Sequence, residues 1–116
     1  MIDHVDELLP RLSANRPALD LGPDHIFPAY AGFSIANLPA SVAAWLGAEG
    51  LPGAAPALDP ALTGALAREF RHVVLMVVDG LGLDILQRAL ASPEWDALPA
   101  AARLFPLTSI VPSTTS

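Results

Sequence analysis

An uninterrupted apolar run, VVLMVV at residues 73–78, constrains the fold of this sequence more than any other feature. A strand with one solvated face alternates apolar and polar residues, whereas a run without alternation is typical of a strand covered on both faces. The sequence therefore predicts a strand over residues 72–78 in a mainly parallel sheet. The run ends at Asp79, which would stand at the carboxyl end of that strand.

A second apolar stretch, LTSIV at residues 107–111, is predicted to form another short strand, because Pro112 stops its hydrogen-bond ladder. Between the two strands, the spacing of leucines in LGLDILQRALAS predicts a helix over residues 81–92, which Pro93 ends. Residues 71–116 are therefore predicted to be a strand–helix–strand unit that opens an α/β domain. Such crossovers are right-handed, and ligands bind where the carboxyl ends of the strands meet.

Residues 1–70 are interrupted by proline and glycine and are predicted to be a Pro/Ala-rich wrapping segment with short helices. One helix should begin at Asn37 and end at Gly47, since asparagine suits a helix start and glycine a helix end. Another should begin at Asp59 and run to about Phe70.

Composition excludes several classes of function. The net charge of −6 argues against binding along a nucleic-acid backbone. All six basic residues are arginine, so there is no lysine for a Walker A loop or a Schiff base, and there is no cysteine for a thiolate zinc site. The apolar runs are too short to cross a membrane, and no signal-peptide pattern is visible, so we expect a cytoplasmic protein without membrane contact.

Asp79 and Gly80 follow the apolar run directly and suggest a metal site. A carboxylate at a strand end is a hard oxygen ligand for a divalent cation. Glycine after it would let the backbone turn sharply and let a substrate approach. The other interpretation of the same residues is that Asp79 caps the helix that follows.

The hydroxyl cluster at the end of the sequence suggests the second half of such a site. If Ser113 caps a new helix after Pro112, Thr114 and Thr115 lie in its first turn, where backbone N–H groups attract phosphate. A threonine hydroxyl needs a metal or a base to become a nucleophile. Neighbouring strands lie about 4.8 Å apart, so one cation could contact Asp79 and a threonine. The alternative is an ordinary polar helix cap.

Together, HVVLMVVDGLG at 72–82 and PLTSIVPSTTS at 106–116 resemble the start of the alkaline phosphatase superfamily, most closely its type I phosphodiesterase/nucleotide pyrophosphatase group. SIANLPASVAAWLG at 34–47 is similar to the lead-in helix of bacterial members. The resemblance implies a three-layer α/β/α fold with a mainly parallel sheet. It also implies hydrolysis of a phosphate ester or nucleotide-like small molecule with two divalent metal ions, usually zinc, with manganese as another option.

The family's motifs assign roles to individual residues. The aspartate at the end of the first strand, here Asp79, binds one metal. The pattern Pro–Thr/Ser–any–Thr falls on residues 112–115, which makes Thr115 the nucleophile and a ligand of the same metal. Thr114 and Gly80 would then line the substrate site. A water on the other metal would hydrolyse the phospho-threonine.

The family's remaining aspartate and histidine ligands lie downstream of the nucleophile, and none of the three histidines here matches them. The resemblance therefore implies the N-terminal part of such an enzyme, truncated after its second strand. That part should be inactive alone and should associate through its exposed sheet or with the missing C-terminal part. The alternative is a non-catalytic small α/β fragment that packs with a partner chain. A haloacid-dehalogenase-like site would need aspartate at Val77, and a Walker B strand would need a Walker A lysine.

Overall fold

The computed structural model describes residues 2–15, 22, 25–48, 50, 52–66, 69–95, 99 and 101–111. The described part contains four α-helices, three short 3₁₀ helices and two strands of two residues each. The α-helices are α1 (Val5–Ser13), α2 (Leu38–Trp45), α3 (Pro60–Thr63) and α4 (Leu83–Leu90). The 3₁₀ helices are Ile35–Asn37, Gly64–Leu66 and Pro93–Trp95, and the strands are β1 (Ile2–Asp3) and β2 (Arg103–Leu104).

The two strands pair in parallel, which makes this a mixed α/β chain. The amides of Ile2 and His4 donate to the carbonyls of Ala102 and Leu104, each at 2.8 Å. Because the partners are about a hundred residues apart in sequence, this small sheet ties the beginning of the chain to the segment that leads towards the hydroxyl cluster.

The strand predicted over residues 72–78 is wrong. These residues pair with no other described segment, and the side chains of Val74 and Val77 are 89% and 83% exposed. A strand needs a neighbour to receive its backbone hydrogen bonds. The segment expected to supply it, residues 107–111, is engaged elsewhere, because Thr108 bridges to Ser34.

The strand predicted over residues 107–111 is reduced to that single bridge. The intervening helix does form, as α4, and it ends before Pro93 as predicted. None of its side chains is buried, however, and it packs on no strand that the structure describes. The predicted strand–helix–strand unit is therefore absent from the described residues, although its helix is correct.

The two helices predicted in residues 1–70 are present with corrected bounds. α2 ends just before Gly47, whose φ of +73° suits the left-handed turn after a helix. α3 begins as expected, since the Asp59 carboxylate accepts a hydrogen bond from the amide of Ala61 at 2.8 Å. It ends at Thr63 rather than near Phe70, and a 3₁₀ turn starting at Gly64 continues it.

The apolar core lies among α1, α3 and the loops beside them. Leu8, Leu58 and Leu62 form its centre, and Phe105 and Leu107 pack against it from the far end of the chain. Residues 1–70 thus supply the buried core side chains, which are Val5, Leu8, Leu12, Phe27, Leu58 and Leu62.

Candidate functional site

Asp79 lies at the end of the exposed apolar run, and its carboxylate is exposed as well. In the described part of the chain its one hydrogen bond is accepted from the amide of the next residue, Gly80, at 2.8 Å. Gly80 has a φ of +71°, in the left-handed region that favours glycine. A Cβ on Gly80 would meet nothing within 4 Å, so the requirement for glycine is conformational rather than steric.

The interpretation of Asp79 as a helix cap is wrong. The N-cap of α4 is Gly82, and no side chain caps that helix. Asp84, in the first turn of α4, has a cation beside it, because its carboxylate pairs with the exposed Arg88 at 3.0 Å. Asp79 therefore neither closes the helix nor neutralises a cation among the described residues, and its oxygens are open to an external ligand.

A complete metal site is not assembled in the described part of the chain. No group of three or more histidine, cysteine, aspartate or glutamate side chains there is placed to hold a metal ion. His4 contacts Glu7 at 3.7 Å and Arg103 at 3.5 Å, and His72 lies at the other end of the apolar run from Asp79. Among the described residues, Asp79 can therefore serve as one metal ligand. The described residues cannot form the two-metal centre that the resemblance implies.

The proposed nucleophile Thr115 and its neighbour Thr114 lie outside the described residues, as do Pro112 and Ser113. The segment that leads to them is described up to Val111. It is attached to the loop that precedes α2 through a network of hydrogen bonds. Sequence reasoning missed this network.

Thr108 is the centre of that network and is 4% exposed. Its hydroxyl accepts a hydrogen bond from the amide of Ala29 at 2.8 Å and donates to the carbonyl of Phe33 at 3.0 Å. Its amide also donates to the Phe33 carbonyl, at 2.8 Å, and its own carbonyl accepts from the amide of Ile35 at 2.9 Å. The side chain and the backbone of Thr108 thus bind the loop before α2 at three residues, Ala29, Phe33 and Ile35.

Ser34 and Asn37 extend the network, and both are 0% exposed. The amide of Ser34 donates to Oδ1 of Asn37 at 2.8 Å, and the hydroxyl of Ser34 donates to the carbonyl of Ser109 at 3.2 Å. Nδ2 of Asn37 donates to the carbonyls of Tyr30 and Pro56, at 2.7 and 2.8 Å. In the sequence, the pattern Ser34-x-x-Asn37 indicates this arrangement. It is a capping box, and it caps the 3₁₀ helix Ile35–Asn37 rather than α2.

An open apolar groove of about 620 Å³ lies beside α2 and reaches the apolar run at Leu75. Its volume is that of a small-molecule pocket, but it offers no charged or hydrogen-bonding side chain to orient a phosphate ester. The groove therefore adds nothing to the candidate phosphate site. Its lining residues are Ile35, Leu38, Pro39, Val42, Ala43, Leu46, Ala48 and Leu75.

Comparison with known proteins identifies no relative. No family model, no curated protein and no solved structure matches the chain. Within its described residues, none of the helices combines the length and the apolar character needed to cross a membrane.

Proposed function

We propose that this chain is the N-terminal part of a cytoplasmic, metal-dependent phosphoric ester hydrolase with an alkaline-phosphatase-like three-layer fold. In this proposal Asp79 binds one divalent metal ion, zinc or manganese, and Thr115 is the nucleophile. The substrate is a phosphate ester or a nucleotide-like small molecule. The 116 residues alone are inactive, because one carboxylate and one hydroxyl cannot build two metal sites.

One observation supports this proposal most directly. The Asp79 carboxylate is exposed, has no helix to cap, and follows an apolar run in which residues 74–78 are exposed. A strand with both faces apolar is stable only inside a sheet that is covered on both sides. If residues 73–78 form a strand of such a sheet in a longer protein, Asp79 would stand at the carboxyl end of that strand, which is where ligands of α/β sheets bind.

The residues around Asp79 have distinct tasks. Gly80, with its positive φ, turns the chain away and leaves the space next to the carboxylate without a side chain. Thr115 would attack phosphorus, and Thr114 would line the substrate site. A bound metal would supply a positive charge that stabilises the attacking alkoxide. The other metal ligands would come from outside the described residues.

The first prediction concerns Asp79→Asn in the product of the complete reading frame that contains this chain. The amide removes the charge of the ligand, so we expect one metal site to weaken and the hydrolysis of a nitrophenyl phosphate ester to fall by about 100-fold or more. Metal content and initial rates are measured on the same purified samples, with and without a chelator.

The matched control is Asp84→Asn, which changes an exposed carboxylate five residues further on whose ion-pair partner is the exposed Arg88. Exposed pairs of this kind contribute little, so this variant should keep its metal and its rate. An Asp79→Asn variant with unchanged metal content and rate would remove Asp79 from the site. Absence of any metal-dependent hydrolysis by the unmodified protein would contradict the proposed function as a whole.

A second candidate is a non-catalytic α/β fragment that packs with a partner chain. It is favoured by the exposure of the apolar run, in which Val74 is 89%, Met76 80% and Val77 83% exposed. Contiguous apolar surface of this kind is typical of interaction sites. A reading frame that ends at Ser116, together with stable co-purification of one partner chain, would favour this candidate over the hydrolase.

A further inference from the structure

The exposed apolar run is bounded by opposite charges. Residues 73–78 carry no charge, Arg71 stands two residues before them, and Asp79 follows them directly. Both charged side chains are exposed, and among the described residues neither forms an ion pair. In a strand the eight steps from Arg71 to Asp79 span about 26 Å, so the two cannot pair with each other. An ion pair that includes either of them therefore needs a partner from outside the run.

The backbone of the run is unpaired as well. No N–H or C=O group of residues 73–78 makes a backbone hydrogen bond within the described part of the chain. Residues 74–78 are exposed, and at Leu75 the run meets the open groove beside α2, whose lining side chains are all apolar. Run and groove thus form one uncharged apolar surface, and a segment of this kind pairs readily with another strand.

The exposed surface is large enough for a stable interface between two copies of the chain. The accessible surface of 8381 Å² exceeds that of a compact 12.1 kDa monomer by about 2,400 Å². A standard interface buries about 800 Å² on each partner. A second copy brings the same run and the same groove, so the contact would be apolar on both sides and would use the same patch twice, as in a twofold dimer.

The charges decide the direction in which two runs pair. In a parallel pair in register, Asp79 would lie beside Asp79 of the second copy, and Arg71 beside its Arg71. Like charges directly opposite each other destabilise a pair of strands. In an antiparallel pair, Arg71 of each copy can lie opposite Asp79 of the other, which gives two attractive contacts. The charge pattern therefore favours antiparallel pairing.

Twofold symmetry then fixes the register. A twofold axis perpendicular to the sheet keeps each residue on its own face, and directly opposite residues share a face. Only residues an even number of positions apart can therefore lie opposite each other. Arg71 and Asp79 are eight positions apart and meet this condition. Their pairing places Leu75 opposite Leu75 of the second copy, at the axis, and keeps all of residues 73–78 within the paired segment.

We propose that residues 71–79 are a self-association site whose partner is the same segment of a second copy, paired antiparallel with Arg71 opposite Asp79. The proposal goes beyond the hydrolase, because it concerns the 116 residues by themselves and needs neither a metal nor Thr115. In a longer hydrolase, another strand of the same chain would take the place of the second copy.

The first test is disulfide cross-linking of the 116-residue chain, which contains no cysteine of its own. In Leu75→Cys the two new thiols lie directly opposite each other, with Cα atoms about 5 Å apart, within the reach of a disulfide. The matched control is Val78→Cys, because Val78 and Leu75 are similarly exposed, at 58% and 61%. Val78 of one copy would lie six positions, about 20 Å, along the strand from Val78 of the other.

Both variants are oxidised at micromolar concentration, and the covalent dimer is followed on a non-reducing gel. We expect Leu75→Cys to form it at least about 10-fold faster than Val78→Cys, because only the first pair of thiols is within disulfide reach. Equal rates in the two variants would indicate parallel or unspecific contact, and no cross-linking would mean that a second copy is not the partner. Either result would overturn the proposal.

The second test exchanges the charges. Asp79→Arg and Arg71→Asp each turn both attractive contacts into repulsive ones, so self-association measured by sedimentation should weaken by about 10-fold. An equimolar mixture of the two variants should recover it, because the basic variant then faces the acidic one at both ends of the run. The matched control is Glu94→Arg, which changes the net charge as Asp79→Arg does, at an exposed position outside the run.

Glu94→Arg should associate like the unmodified chain. If it weakens association as much as Asp79→Arg does, net charge rather than pairing is responsible, and the proposal fails. It also fails if the mixture does not recover association. Neither test measures hydrolysis, so a chain that passes both while the complete protein shows no metal-dependent activity would refute only the hydrolase.

Discussion

Thr115 and Thr114 are adjacent in the sequence but should not be equivalent. In the proposed hydrolase these residues begin a helix, where successive side chains point about 100° apart, so only one of the two hydroxyls could face a metal on Asp79. The motif selects Thr115. We predict that Thr115→Ala abolishes the phospho-enzyme, that Thr115→Ser retains activity, and that Thr114→Ala keeps a large fraction of the rate.

The measurement is to trap the phospho-enzyme of the complete protein at low pH and to locate the phosphate by mass spectrometry. Phosphate on Thr114 or Ser113 would mean that the motif has been aligned one or two residues off. Active turnover with no phosphorylated residue would mean that water attacks directly and that Thr115 is not a nucleophile.

At the residue scale the sequence revealed which side chains are polar and near a turn, but not which partners they bind. Asn37 was expected to cap α2, yet its side chain makes no hydrogen bond to that helix. It binds instead to Ser34, to Tyr30 and to Pro56, nineteen residues further on. An asparagine offers an acceptor and two donors, and only the fold decides where they go. Thr108 was missed for the same reason.

Elements whose signals are local were predictable. The start of α2 follows from Pro39, the start of α3 from the capping Asp59 and from Pro60, and the end of α4 from Pro93, all within a few residues of the helix itself. The strand over 72–78 failed because its signal is not local. An unbroken apolar run indicates that a segment needs cover on both faces, but it does not say where the cover comes from.

The connection between α2 and the loop before it should be costly to break. Asn37→Ala would leave the amide of Ser34 and the carbonyls of Tyr30 and Pro56 without their partner in a site that is 0% exposed. We predict a loss of about 2–5 kcal/mol in the free energy of unfolding. Urea denaturation of the complete protein measures it.

Asn15→Ala is the matched control, because Nδ2 of Asn15 makes two longer hydrogen bonds, of 3.4 and 3.3 Å, to the carbonyls of Phe27 and Pro28 in a half-buried site. It should cost about 1 kcal/mol or less. Equal losses in the two variants would show that burial of the Asn37 network adds no stability.

The whole molecule exposes more surface than a folded chain of its size should. Its accessible surface is 8381 Å², against about 6,000 Å² for a compact monomer of 12.1 kDa. Its radius of gyration is 15.4 Å, against about 13 Å for a compact domain of this length. The excess agrees with the exposure of residues 74–78 and with the absence of buried side chains on α4. Both candidate functions require this surface to be covered.

The 116-residue chain by itself should therefore associate. Residues 73–78 combine high β-propensity, no charge and no proline, and their backbone groups make no hydrogen bonds in the described part of the chain. Such a segment pairs readily with another strand. We predict light scattering by oligomers at micromolar concentration, and a shift towards monomer in Val77→Lys, because a lysine within the run opposes strand pairing.

The matched control is Ile26→Lys, which charges another exposed apolar residue, 53% exposed, outside the run and should leave association unchanged. Equal association in the two variants would place the contact elsewhere on the molecule. A compact, stable monomer of the unmodified chain would mean that residues 73–78 need no cover, and the main structural support for either function would be lost.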